Sequence, residues 1–194
     1  MNAKRILLIQ GHPDGSELHL GHALASSYAT GAEAAGHTVR LVTVAHLDFA
    51  LLRSQKDFEA DTVPASLKPV QKDVLWAEHL VIFFPLWAGD MPALLKGFFE
   101  QLMRPSFSGE HVSFFDKQVL SGRSARVVVT MGMPAIIYRW YFRAHSVKSL
   151  ERNLLGIVGI APVHETLIGL IVNMKPTDAQ KWLIKLKRLG ESAA

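Results

Sequence analysis

The chain has 194 residues, 49% of them apolar and 20% charged, with a formal net charge of +4 and no cysteine. That length is enough to bury a sizeable core, and the lack of cysteine excludes disulfides, thiolate metal ligands and a cysteine nucleophile. The basic residues are scattered. Their densest run, Lys185-Leu186-Lys187-Arg188, has no interleaved aromatics, which suits a solvated helix face rather than a nucleic-acid patch. An anionic cofactor fits the positive excess equally well. Lys4-Arg5 leads straight into an apolar strand with no signal-peptide pattern. The apolar region over residues 154–174 is broken by Pro162, His164 and Glu165, too interrupted to span a membrane. A cytoplasmic protein is expected.

In chain order, residues 5–10 read as a buried strand, followed by the dense turn signal Gly11-His12-Pro13-Asp14-Gly15-Ser16. Leu20, Ala23, Leu24, Tyr28 and Ala32 recur at helical spacing and predict a helix over residues 19–35, ended by Gly36. Residues 39–44 are apolar and β-branched, a second strand. The next stretch, 45–69, carries the breakers Asp48, Asp57, Asp61 and Pro64 and predicts surface loop, with a short helix around 54–59.

A helix over 70–77 leads into the unbroken apolar run 80–84, which suits a strand buried on both faces. Pro85 ends its ladder for want of an N–H. Pro92 suits a first helical residue and opens an apolar helix over 92–103. Between them, a tight loop with Trp87 and Gly89 presents backbone amides and one aromatic face. Residues 104–123, with Phe107, Phe114 and Phe115, form a connection long enough to be functional or to cover a partner. A strand over 125–130, an aromatic helix over 137–153, a strand over 162–170 and a helix over 179–189 capped by Thr177 complete the chain.

Five strands alternating with five helices, without repeats or linkers, make an α/β fold: a flavodoxin-like doubly wound five-stranded parallel sheet with helices on both faces, one domain over residues 1–194. In that strand order the first, third and fourth strands are neighbours at the switch point. Their loops carry complementary chemistry. The first has a hydroxyl and imidazoles before a helix N-terminus, where a phosphate is favoured. The second has an aromatic wall and peptide groups. The third has a hydroxyl, a glycine and then a tyrosine. A flat heteroaromatic with a phosphate tail satisfies all three, and no Gly-x-Gly-x-x-Gly follows the first strand, so a flavin fits better than a Rossmann dinucleotide.

The segments Gly11-His12-Pro13-Asp14-Gly15-Ser16, Phe84-Pro85-Leu86-Trp87 with Met91-Pro92-Ala93-Leu94-Leu95-Lys96-Gly97, and Val129-Thr130-Met131-Gly132-Met133 with Tyr138 resemble the NAD(P)H:quinone oxidoreductase family in its bacterial branch. The resemblance implies bound FMN, with FAD as the alternative, two-electron transfer from a reduced nicotinamide (NADH or NADPH) to a quinone-like acceptor, and a homodimer with sites at the interface. It implies flavin-phosphate contacts for His12, Ser16 and His19. Pro85, Leu86, Trp87 and Ala88 fall along the isoalloxazine ring, and Thr130, Met131 and Gly132 at its polar edge. Ala88 stands where a second aromatic is common, which reshapes the substrate pocket. Tyr138 matches a tyrosine near the flavin and acceptor. The histidine expected six residues later falls on Ala144, with His145 adjacent. Tyr138 and His145 are thus the expected catalytic pair, orienting the acceptor or supplying a proton.

Other readings of the same residues are a regulatory or ancillary flavoprotein of a membrane transporter, and an azo- or nitro-reductase. Ser16 lies outside a Gly-x-Ser-x-Gly elbow, which disfavours acyl transfer. The nine histidines include no His-x-x-x-His or His-Glu-x-x-His pair with a matching carboxylate, and no metal is expected. Trp140, Tyr141 and Phe142 are read as dimer or core packing.

Overall fold

The computed structural model describes residues 2–60, 63–103 and 119–194. The breaker Asp61 and the aromatic connection with Phe107, Phe114 and Phe115 lie outside the described residues. Five parallel strands form one sheet: β1 (Arg5–Gln10), β2 (Thr38–Thr43), β3 (His79–Pro85), β4 (Ser124–Thr130) and β5 (Val163–Ile168), in the order β2-β1-β3-β4-β5. This is the flavodoxin-like winding. The register is continuous across the centre, with Ile9 opposite Ile82 and Pro85 opposite Thr130.

β3 is buried along its whole length, as its unbroken apolar run requires in a central parallel strand. Alternate residues feed two cores. Ile6, Leu8, Val81, Phe83 and Val128 face one side, where α1 (Leu20–Ala34) packs with the C-terminal helix. Leu7, Ile9, Leu80, Ile82, Phe84, Val127 and Val129 face the other. That second core takes Val70 and Val74 of the helix Lys68–Trp76 and Leu95, Phe98, Phe99 and Leu102 of the helix Ala93–Leu102. With the short helix Gln55–Glu59 numbered α2, these are α3 and α4. The edge strand β2 is more exposed, with Leu41 facing solvent.

Chain ends follow local chemistry. His19 is the N-cap of α1, and Gly36, at a φ of 85°, supplies the left-handed residue that releases the chain after it. α3 begins two residues before the expected helix, because Pro69 is at home in a first turn. Pro92 is the N-cap of α4 rather than its first residue.

The predicted helix over 137–153 is not continuous. It divides into α5 (Ala135–Trp140), α6 (His145–Ser149) and a π-helical turn (Leu150–Leu155). Arg143 and Ala144, with φ of 55° and 47°, cannot continue a right-handed helix, and they reverse the chain between α5 and α6. Trp140 and Tyr141 are 75% and 79% exposed, so they are not core residues. The last helix, α7 (Pro176–Ser192), is longer than expected at both ends, with Lys175 rather than Thr177 at the N-cap position. α7 lies so close to α1 that Gly31 and Gly190 have no room for a side chain. No helix among the described residues is long and apolar enough to cross a membrane.

Candidate functional site

The loops after β1, β3 and β4 meet at the carboxyl edge of the sheet, the ligand edge of open α/β folds. Gly11 joins the first to β3: its amide donates to the Phe83 carbonyl at 2.7 Å. The His12 ring meets Trp87 edge-on, with centroids 5.8 Å apart. The Leu86 amide donates to the Thr130 carbonyl at 2.8 Å, tying the second loop to the third. The third is tied in turn to the chain after β5, through Met131 N–H to the Ile168 carbonyl and Ile171 N–H to the Met131 carbonyl.

The first loop is a histidine cradle. His12 and His19 stack at 3.9 Å, and His22 lies 5.5 Å from His12. Asp14 organises them. Its carboxylate accepts from the Ser16 amide at 2.8 Å and the Ser16 hydroxyl at 2.6 Å, and it pairs with His19 Nε2 at 2.8 Å. These bonds, the Ser16 hydroxyl first, hold the Asp14 carboxyl well below its usual pKa. Burial, reinforced by His19, lowers the pKa of His12, and burial with His19 does the same to His22. His12 Nδ1 lies 3.1 Å from the Asp14 amide and 3.3 Å from the Asp14 carbonyl, so the loop backbone holds this edge of the ring. His46 closes the outside, with Nε2 3.5 Å from the Gly15 carbonyl. Among the described residues, Asp14, Glu17 and His19 also bring ligand atoms within 4.8 Å of one another, with Asp14 already engaged by Ser16 and His19.

Below this cradle Gln10 is buried at the end of β1. Its Oε1 accepts the His12 amide at 3.0 Å, while its Nε2 has no partner. A built Cβ on Gly21, in the first turn of α1, would lie 3.9 Å from that nitrogen. An unused buried donor beside a helix N-terminus is a site for an oxyanion.

The second loop is a two-residue hairpin turn. Trp87 and Asp90 exchange both backbone hydrogen bonds at 2.9 Å, and Ala88 and Gly89 have φ of 49° and 84°, the signature of a type I′ turn. The Ala88 and Gly89 amides make no hydrogen bond among the described residues. Trp87 is half exposed, whereas Pro85 is buried. In the third loop Thr130 and Met131 are buried and Gly132 is exposed; a Cβ there would meet Val172 at 3.4 Å.

The expected catalytic pair is brought together but unequally placed. His145 is exposed and sits against the turn, its Cε1 3.8 Å from where a Gly89 Cβ would be. Tyr138 is wholly buried behind it, with ring centroids 6.4 Å apart. Burial raises the Tyr138 pKa, and the phenol oxygen has no hydrogen-bond partner among the described residues. The sequence reading missed Gln10, the organising role of Asp14, and the contact of the Ser146 hydroxyl with Asp90 Oδ1. Asp14 was legible as an Asp-Gly-Ser Asx turn. The Asp90–Ser146 contact had no sequence signal, because its partners are separated by the irregular α5–α6 junction.

The donor set suits a phosphate at the cradle and a planar ring at the bare turn, so the fold and the site together define a doubly wound α/β protein with its ligand edge at the switch point. The chain belongs to the flavodoxin-like fold family, whose model matches residues 4–189. It is similar to the NAD(P)H:quinone oxidoreductase from Methanothermobacter marburgensis, at 20% identity and a TM-score of 0.81 over 98% of this chain and 96% of that one. It is also similar to an FMN-dependent NADH-azoreductase from Bacillus anthracis in complex with FMN, at 15% identity and a TM-score of 0.70 over 98% and 99%. Among curated proteins, human ribosyldihydronicotinamide dehydrogenase [quinone] is 26% identical over 87 residues, 45% of this chain and 38% of that protein. The match thus spans well under half of that relative.

Proposed function

We propose that this protein is an FMN-dependent oxidoreductase that takes reducing equivalents from NADH or NADPH and delivers two electrons to a flat, quinone-like acceptor. One observation carries the reading: an imidazole-lined helix N-terminus with an unused buried donor adjoins a turn whose two amides are unpaired. The names of the structural neighbours, a quinone oxidoreductase and an FMN-dependent azoreductase, support it.

A bound flavin supplies the hydride acceptor and the two-electron donor. The chain's own residues bind and orient. His12, Ser16 and His19, with the Gln10 amide, would hold the phosphate tail. Trp87, the buried Pro85 and the partly buried Leu86 would wall the ring, and the Ala88 and Gly89 amides would stabilise negative charge on its polar edge together with the Thr130–Met131–Gly132 loop. His145, exposed beside the turn, orients the acceptor and moves its proton. Tyr138, buried behind it, fixes the packing of His145 and does not itself touch the acceptor. The exposed Ile136, Trp140, Tyr141 and Val172 belong to the surface that a second copy covers in the expected homodimer.

The test is spectroscopic. Purified protein should be yellow or become so with FMN, its flavin band should bleach anaerobically with NADH or NADPH, and the band should return on adding a quinone. A protein that takes up no flavin overturns the proposal.

A further inference from the structure

We propose that Asp90 and Ser146 are positioning residues: the hydrogen bond between their side chains latches the Ala88–Gly89 turn onto α6 and holds its two unpaired amides toward the ring edge. The inference rests on the flavin reading above and extends it to residues that contact no ligand directly.

Strain concentrates around this contact. Ala88 and Gly89 lie on one side at positive φ, and Arg143 and Ala144 on the other. Three of the four carry a Cβ, and left-handed conformations of such residues persist only where their surroundings over-determine them. Two backbone bonds close the turn between Trp87 and Asp90. The Asp90 carboxylate then adds the decisive links. Its Oδ1 accepts from the Met91 amide at 2.7 Å and from the Ser146 hydroxyl, 56 residues away. Ser146 is wholly buried, at the start of α6 and next to His145. A buried hydroxyl donating to a carboxylate is a charge-assisted bond, and such bonds are stronger than neutral ones. It fixes in one contact both the turn that presents amides and the helix start that presents His145. Tyr138, wholly buried, packs behind the same helix start, its ring centroid 6.4 Å from that of His145. The latch adds a link to α6 that the two backbone bonds within the turn do not supply.

The experiment compares Asp90→Asn, Asp90→Ala and Ser146→Ala with the wild type. In the protein without flavin, hydrogen exchange of the Trp87 and Asp90 amides should rise about tenfold in the two alanine variants, while Ile82 in β3 stays protected. Asp90→Asn keeps an acceptor oxygen but loses the charge, and should fall between the wild type and the alanine variants. Riboflavin and FMN should both lose affinity by the same factor in the alanine variants, since the ring contact weakens and the phosphate cradle does not change. Alanine variants with unchanged exchange and unchanged flavin affinity would overturn the latch, as would Asp90→Asn behaving like Asp90→Ala. A wild type that binds neither flavin defeats the functional reading and the ring-presenting role together, whereas the exchange data decide separately whether the latch exists.

Discussion

The imidazoles of His12 and His19 lie face to face, with centroids 3.9 Å apart and planes inclined by only 20°. Two charged rings cannot share that stack cheaply, and burial together with His19 already keeps His12 below its ordinary pKa. An arriving phosphate reverses this balance, because a dianion beside the stack favours the imidazolium. FMN binding should therefore take up a proton and tighten about tenfold from about pH 8 to about pH 6. Riboflavin, without a phosphate, should show no such trend. Titrating the quenching of flavin fluorescence at each pH checks it, and His12→Ala should flatten the FMN curve onto that of riboflavin. Equal pH dependence for the two ligands would place the phosphate elsewhere.

The helix pair behind the sheet makes a harsher prediction. A Cβ on Gly190 would fall on the Tyr28 carbonyl and one on Gly31 on the Lys187 carbonyl, so both clashes are with backbone that cannot swing away. Gly190→Ala should cost more than about 2 kcal/mol. Urea unfolding followed by circular dichroism measures this, and a loss within error of zero would show that α1 and α7 are less closely packed than described.

Most of the sheet could be read from the chain because apolar runs such as residues 80–84 have only one comfortable home, a strand covered on both faces. The loops that meet at its carboxyl edge followed from strand order alone, and His12, Trp87 and Thr130 do converge there. What escaped was set by backbone rather than side-chain pattern. Nothing in the letters Tyr141-Phe142-Arg143-Ala144 announces two consecutive left-handed residues, since neither is glycine, asparagine or aspartate. The break between α5 and α6 follows from that one reversal, and the Ser146 contact lies just beyond it. Gln10 was passed over as a strand end, although a polar residue closing a fully buried strand is itself a signal of a neighbouring site.

The turn at Ala88–Gly89 can be tested from its conformation. A methyl on Gly89 would touch His145 only at an ordinary 3.8 Å, so space is not the obstacle; the φ of 84° is. Gly89→Ala should thus destabilise the protein by about 1–2 kcal/mol. Ala88→Gly should relieve part of the strain at the φ of 49° and gain up to about 1 kcal/mol, offset in part by the freer unfolded chain. Thermal unfolding of the two variants should shift in opposite directions. Shifts of the same sign would contradict the left-handed assignment of the pair.

Acid sensitivity should come chiefly from the other end of the sheet. His79 is buried at the start of β3, its Nδ1 2.8 Å from the Ser124 hydroxyl and its Nε2 without a partner. Burial, followed by the positive surroundings of Lys4, Arg126, His164 and His37, lowers its pKa from 6.5 to about 3. The folded protein thus binds this proton far less readily than the unfolded chain does. Stability is full above the unfolded value of 6.5 and falls as the pH drops from there toward 3, since each step protonates the unfolded state first. The loss by about pH 5 should be about 2 kcal/mol from this group. His79→Asn retains a partner for Ser124 and removes the titration, so its stability should decline less over the same interval. Parallel pH profiles for the variant and the wild type, measured by chemical unfolding, would show that His79 is charged or solvated in the folded state.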